Sequence, residues 1–509
     1  MSKQAPQRRS RAVRRTARLN APVVMLPTLT RNIPVYEILD TEGVELIHQA
    51  SLDLLEEFGI DFRDPEALAM WRDAGAEVAG QRVRIPPQLL LQLVAKNPEV
   101  VELHGRNPAR SVRIGGRNMV FAPNYGSPFV RGFDGERRYS TLEDLQVFHK
   151  LAQMAPSLHL AGGITCEPVD IPVPTRHLHI ADSLLRHSDK PFMGATTSRE
   201  RAEDSVRMAQ IVFGEIFVEN HTVMVSVCNC NSPLVWDQTM LDAVKVYARH
   251  NQTVLLSPFV LAGASTPAST VGAVAQLNAE ALSGIAFAQL VRPGAPMIYG
   301  QFLAPVSMRS GAPMAGTPEI SLMNFMIGQL ARRYKLPWRS SGMTSGSKMV
   351  DAQAAYEASM TMQSVLLSGA NFVFHAAGWL EGGLTASVAK FTLDAEQMEM
   401  YYRFAQGVSV GDLDEVMATV REVGPGGHFL GTAHTRRVFE QAFFMPELLD
   451  NNSFEQWQAE GSKDAATRAL EKARAMLDRY TAPALDPAIG EALSDFIARR
   501  ESELPEGAA

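Results

Sequence analysis

The chain has 509 residues, 46% hydrophobic and 20% charged, an ordinary globular composition with enough apolar residues for a large core. Its 48 basic and 55 acidic side chains give a net charge of −7, yet Lys3, Arg8, Arg9, Arg11, Arg14, Arg15 and Arg18 open the chain with no acid among them. The rest is therefore more acidic than the whole, which argues against a nucleic-acid surface outside that basic stretch.

Residues 1–33 read as a disordered basic tail and linker. Residues 34–117 read as a small α+β lead-in. Its helices are Thr41–Phe58, closed by Gly59, and Asp64–Ala74, where Asp64-Pro65 supplies an N-cap and a proline at the first helical position. Short strand-like pieces follow at Arg82–Ile85, Val100–His104 and Ser111–Ile114.

From residue 118 to 410 short apolar strands alternate with longer helical stretches. The expected strands are Met119–Ala122, Leu158–Ala161, Pro191–Gly194, Thr222–Val227, Thr253–Ser257, Pro296–Tyr299, Leu336–Ser340 and Asn371–His375. The expected helices are Thr141–Met154, Pro174–Arg186, Arg199–Phe213, Trp236–His250, Thr270–Leu290, Pro318–Arg333, Asp351–Leu367 and Asp394–Gln406. Asp351 is placed to cap its helix and Gly369 to end it. Eight βα units of this length predict an α/β fold of the (β/α)8 TIM-barrel kind, with a doubly wound sheet as the alternative. Residues 411–509 read as a C-terminal helical extension, turn-rich around Gly424-Pro-Gly-Gly, with helices at Lys463–Tyr480 and Ile489–Glu501. It would pack on the barrel or on a neighbouring subunit.

No uninterrupted apolar run reaches the ~18 residues a membrane span needs, and nothing reads as a secretory leader. Three cysteines, Cys166, Cys228 and Cys230, are too few and too oddly spaced for a disulfide scaffold or a zinc site, and suit the cytoplasm.

In a parallel barrel the chemistry sits at the C-terminal strand ends. There the sequence places Asn124-Tyr125, Thr165-Cys166, Thr196-Thr197, Cys228–Asn231, Phe259, Gln301, Ser340-Ser341, and finally His375 with Trp379 and Glu381. No nucleophile elbow, phosphate loop, dinucleotide fingerprint or His-x-His metal pair stands at a strand end. What remains is a set of aromatics with a histidine and an acid. Such a set suits a quaternary ammonium through cation–π attraction. Tyr299, Trp338 and Phe374 fit the core as well as the site; Tyr125 and Trp379, in loops, are the better candidates.

Three runs carry a resemblance: Ser347-Lys-Met-Val-Asp-Ala-Gln-Ala-Ala-Tyr356-Glu357, His375-Ala-Ala-Gly-Trp379-Leu-Glu381-Gly-Gly, and Gly427-His428-Phe-Leu with His434-Thr435. The chain resembles the trimethylamine methyltransferase family from about residue 30 to the C-terminal helices. That resemblance implies a (β/α)8 barrel, no permanently bound cofactor, and methyl transfer to cobalamin carried by a separate corrinoid protein that docks at the barrel mouth. The founding trimethylamine enzymes carry pyrrolysine in the loop before the Asp-x-Gln-Ala-x-Tyr-Glu helix. Here the position falls at Met349 or Val350, which are ordinary residues. Members without pyrrolysine use betaines, so the resemblance implies a glycine betaine:corrinoid methyltransferase. His375 is then the expected carboxylate donor, with Ser341 and Gln301 as further donors. Tyr125 and Trp379 would face the trimethylammonium. Glu381 would balance its charge or orient His375, and Asn124 completes the candidate substrate-binding set. A homo-oligomer is expected, with neither nucleic acid nor membrane as partner. The alternative is a barrel that binds a methylated amine or another metabolite without methyl transfer.

Overall fold

The structure, a computed structural model, describes residues 24–504, so most of the expected basic tail lies outside the described residues. Residues 24–33, expected as linker, run into the fold. Leu29–Thr30 pairs antiparallel with Asn118 and Met119, and Leu29 is fully buried.

The centre is a curled sheet. Its parallel strands stand in the spatial order Phe192–Met193, Met224–Cys228, Thr253–Leu256, Met297–Gly300, Trp338–Ser341, Phe372–Phe374 and Asn118–Phe121. Helices Arg199–Phe213, Gln238–Arg249, Thr270–Val291, Pro318–Arg333 and Ala352–Ser368 connect successive parallel neighbours, as crossover connections must. Asp351 caps the last of these by accepting from Ala354 N–H at 2.9 Å, and left-handed Gly369 ends it.

The expected strand Leu158–Ala161 departs from the pattern. His159 N–H donates to Phe121 O, Ala161 N–H to Pro191 O, and Met193 N–H to Gly162 O, each at 2.9 Å. However, Phe121 N–H turns to the His159 ring Nδ1 at 3.0 Å, so a side chain takes the place of a backbone carbonyl and the ladder is interrupted. The fold is thus mixed α/β around a curled sheet, whose end strands are joined through segment 158–162 by one backbone bond on the Phe121 side and two on the Met193 side.

Apolar side chains inside the curl form one cluster, with Val120, Leu160, Met193, Val225, Leu255, Ile298, Phe372 and Phe374 among them. The hairpin Val100–Leu103 and Val112–Gly115 adds Val101, Leu103, Val112 and Ile114. His104 and Asn107 at its tip donate to Thr222 O and Asp189 O, which precede strands, so the hairpin plugs the N-terminal end. A larger cluster lies between the sheet and the helices.

The lead-in sheet Glu77–Ala79, Arg82–Arg84 and Ile60–Phe62 is extended by Val235–Trp236, from the loop after Met224–Cys228. Helix Thr270–Val291 has the length and composition of a membrane span, but 89% of its apolar window is buried inside this fold. The C-terminal part is helical on both sides of the turn-rich segment around Gly424. Leu413–Val423 and Ala433–Ala442 are helices, and neither has a buried residue.

Candidate active site

Beyond the C-terminal strand ends the backbone forms a second tier. Phe259–Ala262 pairs with Phe302–Pro305, and Trp379–Leu380, Thr385–Ser387, Phe129–Arg131 and Arg137–Tyr139 make a small sheet. A cleft opens there, lined by Gln301, Phe302, Met314, Asn324, Ser341, Thr344, Thr361 and Trp379 among others.

Strand Trp338–Ser341 sends its first side chain outward, where the Trp338 indole N–H donates to Gly369 O at 3.0 Å. Alternation then turns Arg339 inward. Its guanidinium is 2% exposed and faces the Phe374 ring at 5.0 Å. It donates to Gln301 O, to Ser257 Oγ at 3.2 Å and to His375 Nε2 at 2.9 Å, while Nε meets no acceptor. Among the described residues no carboxylate pairs with it, and burial alone pushes its pKa down to about 9. A buried cation without a counter-charge is costly and calls for an anion.

His375 ends strand Phe372–Phe374 in the left-handed region, at φ 54°. A non-glycine residue there is strained and must be held. Its carbonyl accepts from Met343 N–H at 2.9 Å, and the next residue, Ala376, donates to Ala122 O at 2.9 Å. The ring lies between Phe374 at 4.4 Å and Trp379 at 4.3 Å. A guanidinium only donates, so Nε2 accepts and the proton sits on Nδ1. That Nδ1 is buried and has no partner. Burial, and then the Arg339 charge, hold the ring well below the ordinary histidine pKa, so it is neutral.

An aromatic row leads outward from this pair. Trp379 lies 6.0 Å from Phe302, which stacks on half-exposed Phe259 at 4.7 Å. Gln301 gives its amide N–H to Asn324 at 2.9 Å and to Ser340 at 2.6 Å, leaving Oε1 free. Ser341 Oγ and Trp379 Nε1 are also buried without partners. Arg339 and His375 lie behind the wall that Gln301 and Trp379 present to the cleft.

Other candidates sit apart. Tyr125 packs on Phe374 at 5.3 Å, over the inner apolar cluster, and burial pushes its hydroxyl pKa up. Asn124 holds Ser127 Oγ at 2.7 Å and shapes the first loop. Glu381 does not reach His375: it accepts from Arg137 at 2.8 Å and from Thr385 at 2.6 Å. Tyr299 turns outward and donates to Asn278 at 2.9 Å. Met349 is largely exposed, and Val350 lines a different cavity, with Met343, Lys390 and Asp394. The cysteines are free and buried, and no group of metal-ligating residues occurs among the described residues.

The two loops at this mouth are tied together. Glu381 N–H donates to Ser347 O at 2.8 Å and Gly382 N–H to Ser345 O at 2.9 Å. Behind them Asp394 accepts from Gly378 N–H at 2.9 Å, and Lys390 bonds Asp394 at 2.7 Å and Met343 O at 3.3 Å. The sequence reading missed Arg339 and Phe302. The signal for the first was a lone arginine inside a buried strand.

Residues 6–505 match the family model described as trimethylamine methyltransferase. The chain is 41% identical over 475 residues to a glycine betaine methyltransferase of Desulfitobacterium hafniense, covering 93% of this chain and 99% of that one. It is 28% identical to a trimethylamine methyltransferase of Methanosarcina barkeri, covering 88% and 92%. It is 27% identical to a proline betaine:corrinoid methyltransferase of Eubacterium limosum, covering 82% and 87%. Among solved structures, the monomethylamine methyltransferase of Methanosarcina barkeri aligns over 88% of this chain and 90% of that one, with TM-score 0.51 and 12% identity, a likeness of fold.

Proposed function

The chain belongs to the trimethylamine methyltransferase family and is a methyltransferase, and from that premise we propose that it demethylates glycine betaine, or a betaine of similar size, passing the methyl group to the cobalamin of a separate corrinoid protein. One observation carries the substrate class: Arg339 is buried, charged and without a carboxylate. A plain methylammonium would be repelled by it. A zwitterion brings the missing anion on one end and its cation on the other.

In this reading the Gln301 and Trp379 side chains turn aside as substrate enters, so that Arg339 Nε–H and His375 Nδ1–H, both free of acceptors, donate to its carboxylate. Their charge-assisted bonds fix one end of the substrate. Trp379 and Phe302 then face the trimethylammonium, and Ser341 Oγ and Gln301 Oε1 complete the polar lining. The nitrogen already carries the charge that makes a neutral amine a leaving group, so these residues have no proton to move. Their work is to aim one N-methyl carbon out of the cleft and keep water away.

The mouth suits a flat, partly apolar partner surface. Met314 lines the cleft, and Phe259 and Met308 are exposed on the surrounding second-tier loops. When docked there, the reduced cobalt of the corrinoid supplies the nucleophile. The curled sheet, with bonds on both sides of segment 158–162, supports a closed (β/α)8 barrel, and the reading places the enzyme in the cytoplasm. It is a homo-oligomer in this reading. The helices Leu413–Val423 and Ala433–Ala442, with the segments beside the second, expose Met417, Val420, Leu430 and Phe443. Apolar surface of that extent needs permanent cover, and a corrinoid protein that leaves after each transfer does not give it, whereas a second copy does.

The direct test mixes enzyme, glycine betaine and reduced corrinoid protein and follows the corrinoid absorbance. The expected result is a betaine-dependent spectral change. No change across a panel of betaines would remove the methyl-transfer reading.

A further inference from the structure

A second unpaired cation stands at the opposite, N-terminal end of the strands. Arg31 follows Leu29–Thr30 and lies against Gly369, where an added Cβ would meet both Nη1 and Nη2 at 3.1 Å. Arg31 is 5% exposed, and its Nη1 is buried without an acceptor. It lines an open cleft together with Arg117, Arg332 and Lys335.

The charges in this cleft do not balance. Arg332 pairs with Glu37 at 3.0 Å and Lys335 with Glu99 at 3.6 Å. Arg117 gives its N–H groups to Arg31 O at 2.8 Å and Asn32 Oδ1 at 2.6 Å and has no carboxylate. The C-terminal end of helix Ala352–Ser368 favours a cation, but its last carbonyls are already taken. Tyr36 N–H bonds Leu367 O at 2.9 Å, Arg332 bonds Ser368 O at 2.6 Å, and Trp338 bonds Gly369 O at 3.0 Å. Burial, then Arg332 and Arg117, push the Arg31 pKa down to about 10. The first 23 residues contain basic side chains and no acid, so they bring no counter-charge.

We propose that this cleft is an anion site, separate from the mouth, that takes a phosphate-class oxyanion between Arg31 and Arg117, with Arg332 and Lys335 at its rim. Two guanidinium forks approaching from different elements match an acceptor with several oxygens and more than one charge. A halide would meet the charge but leave N–H groups unsatisfied. The site does not touch Arg339 or His375, so its occupant acts on the stability of the fold.

The test is the melting temperature of the full-length protein, titrated with inorganic phosphate against sodium chloride at matched ionic strength. The expected result is a saturable rise with phosphate beyond that with chloride. Arg31→Met keeps the aliphatic stem, so it should lose the phosphate-dependent rise and melt no lower than the parent in phosphate-free buffer. Arg117→Met, at an exposed position, should weaken the phosphate response about tenfold, the order expected for one lost charge-assisted bond. Phosphate acting no differently from chloride overturns the proposal, as does an undiminished rise in both variants. A lower melting temperature of Arg31→Met without phosphate also overturns it, assigning Arg31 to packing alone.

Discussion

Arg339 Nη2 lies 2.9 Å from His375 Nε2, and this one contact sets the hydrogen-bonding state of both side chains. It fixes the imidazole proton on Nδ1 and leaves a buried charge that no carboxylate among the described residues neutralises. In the proposed function a substrate carboxylate completes the pair.

Arg339→Met should raise the KM for glycine betaine about 10- to 150-fold, the equivalent of ~1.5–3 kcal/mol for a hydrogen bond to a charged group. Its melting temperature in the absence of substrate should change little, because relief of the unpaired buried charge offsets the loss of the bonds to Ser257, Gln301 and His375. Steady-state kinetics and a thermal melt read the two effects separately.

Removing an aromatic face should cost less. Trp379→Leu should lower kcat/KM for betaine about 2- to 30-fold, since one cation–π contact is worth ~0.5–2 kcal/mol. Trp379→Phe should recover part of it. Kinetics of the two variants beside Phe302→Leu measure how the rings share the cation.

Lys390 and Asp394 position the loops rather than touch substrate. Lys390→Met leaves the Asp394 carboxylate buried without its cation and should lower stability by ~3–5 kcal/mol. The double variant Lys390→Met/Asp394→Leu should regain most of that stability yet keep a depressed kcat, because Gly378 N–H and Met343 O lose their partners. Denaturant melts and kcat measured on both variants distinguish positioning from packing.

Several histidines are buried and held neutral. Burial pushes His149 and His159 down to about 4 and holds His375 well below its ordinary value. A folded-state pKa below the unfolded one means that the unfolded chain binds protons first as pH falls. Stability from these groups is therefore full above pH 6.5 and is lost progressively from there towards pH 4. Melting temperature against pH should fall over that window, and His149→Gln should flatten the slope. The KM for betaine should stay constant from pH 6.5 to 8, because His375 does not titrate there.

The sequence made the helices legible because their signals are local. Asp64 and Asp351 cap their helices through side-chain bonds, and Arg199–Phe213 and Pro318–Arg333 have the expected bounds. What it hid depended on distant partners. Glu381 follows His375 closely in the chain, yet its carboxylate turns to Arg137, 244 positions away. Segment 158–161 has the apolar pattern of a strand, but a His159 ring nitrogen displaces a ladder carbonyl. Arg339 was visible as a residue inside an expected strand. Only the inward alternation and the absence of any acid beside it gave it a role. The helices after residue 412 lie in the expected helical extension, on both sides of its turn-rich segment, and carry apolar faces that no described residue buries.

Those exposed faces give the oligomer its own test. Light scattering coupled to size exclusion should report a multiple of the 55.7 kDa chain. Leu430→Asp/Phe443→Asp should shift it to the monomer with the curled-sheet core still folded. A parent that elutes as a monomer would remove the interface between copies.

The most direct measurement for the central claim is calorimetric titration of the enzyme with glycine betaine, choline and trimethylamine, without corrinoid protein. Choline has the same trimethylammonium head but no carboxylate. The expected result is saturable betaine binding, choline and trimethylamine weaker by at least about tenfold, and that preference lost in Arg339→Met. Equal affinity for betaine and choline, or an unchanged preference in Arg339→Met, would contradict the carboxylate-recognising site.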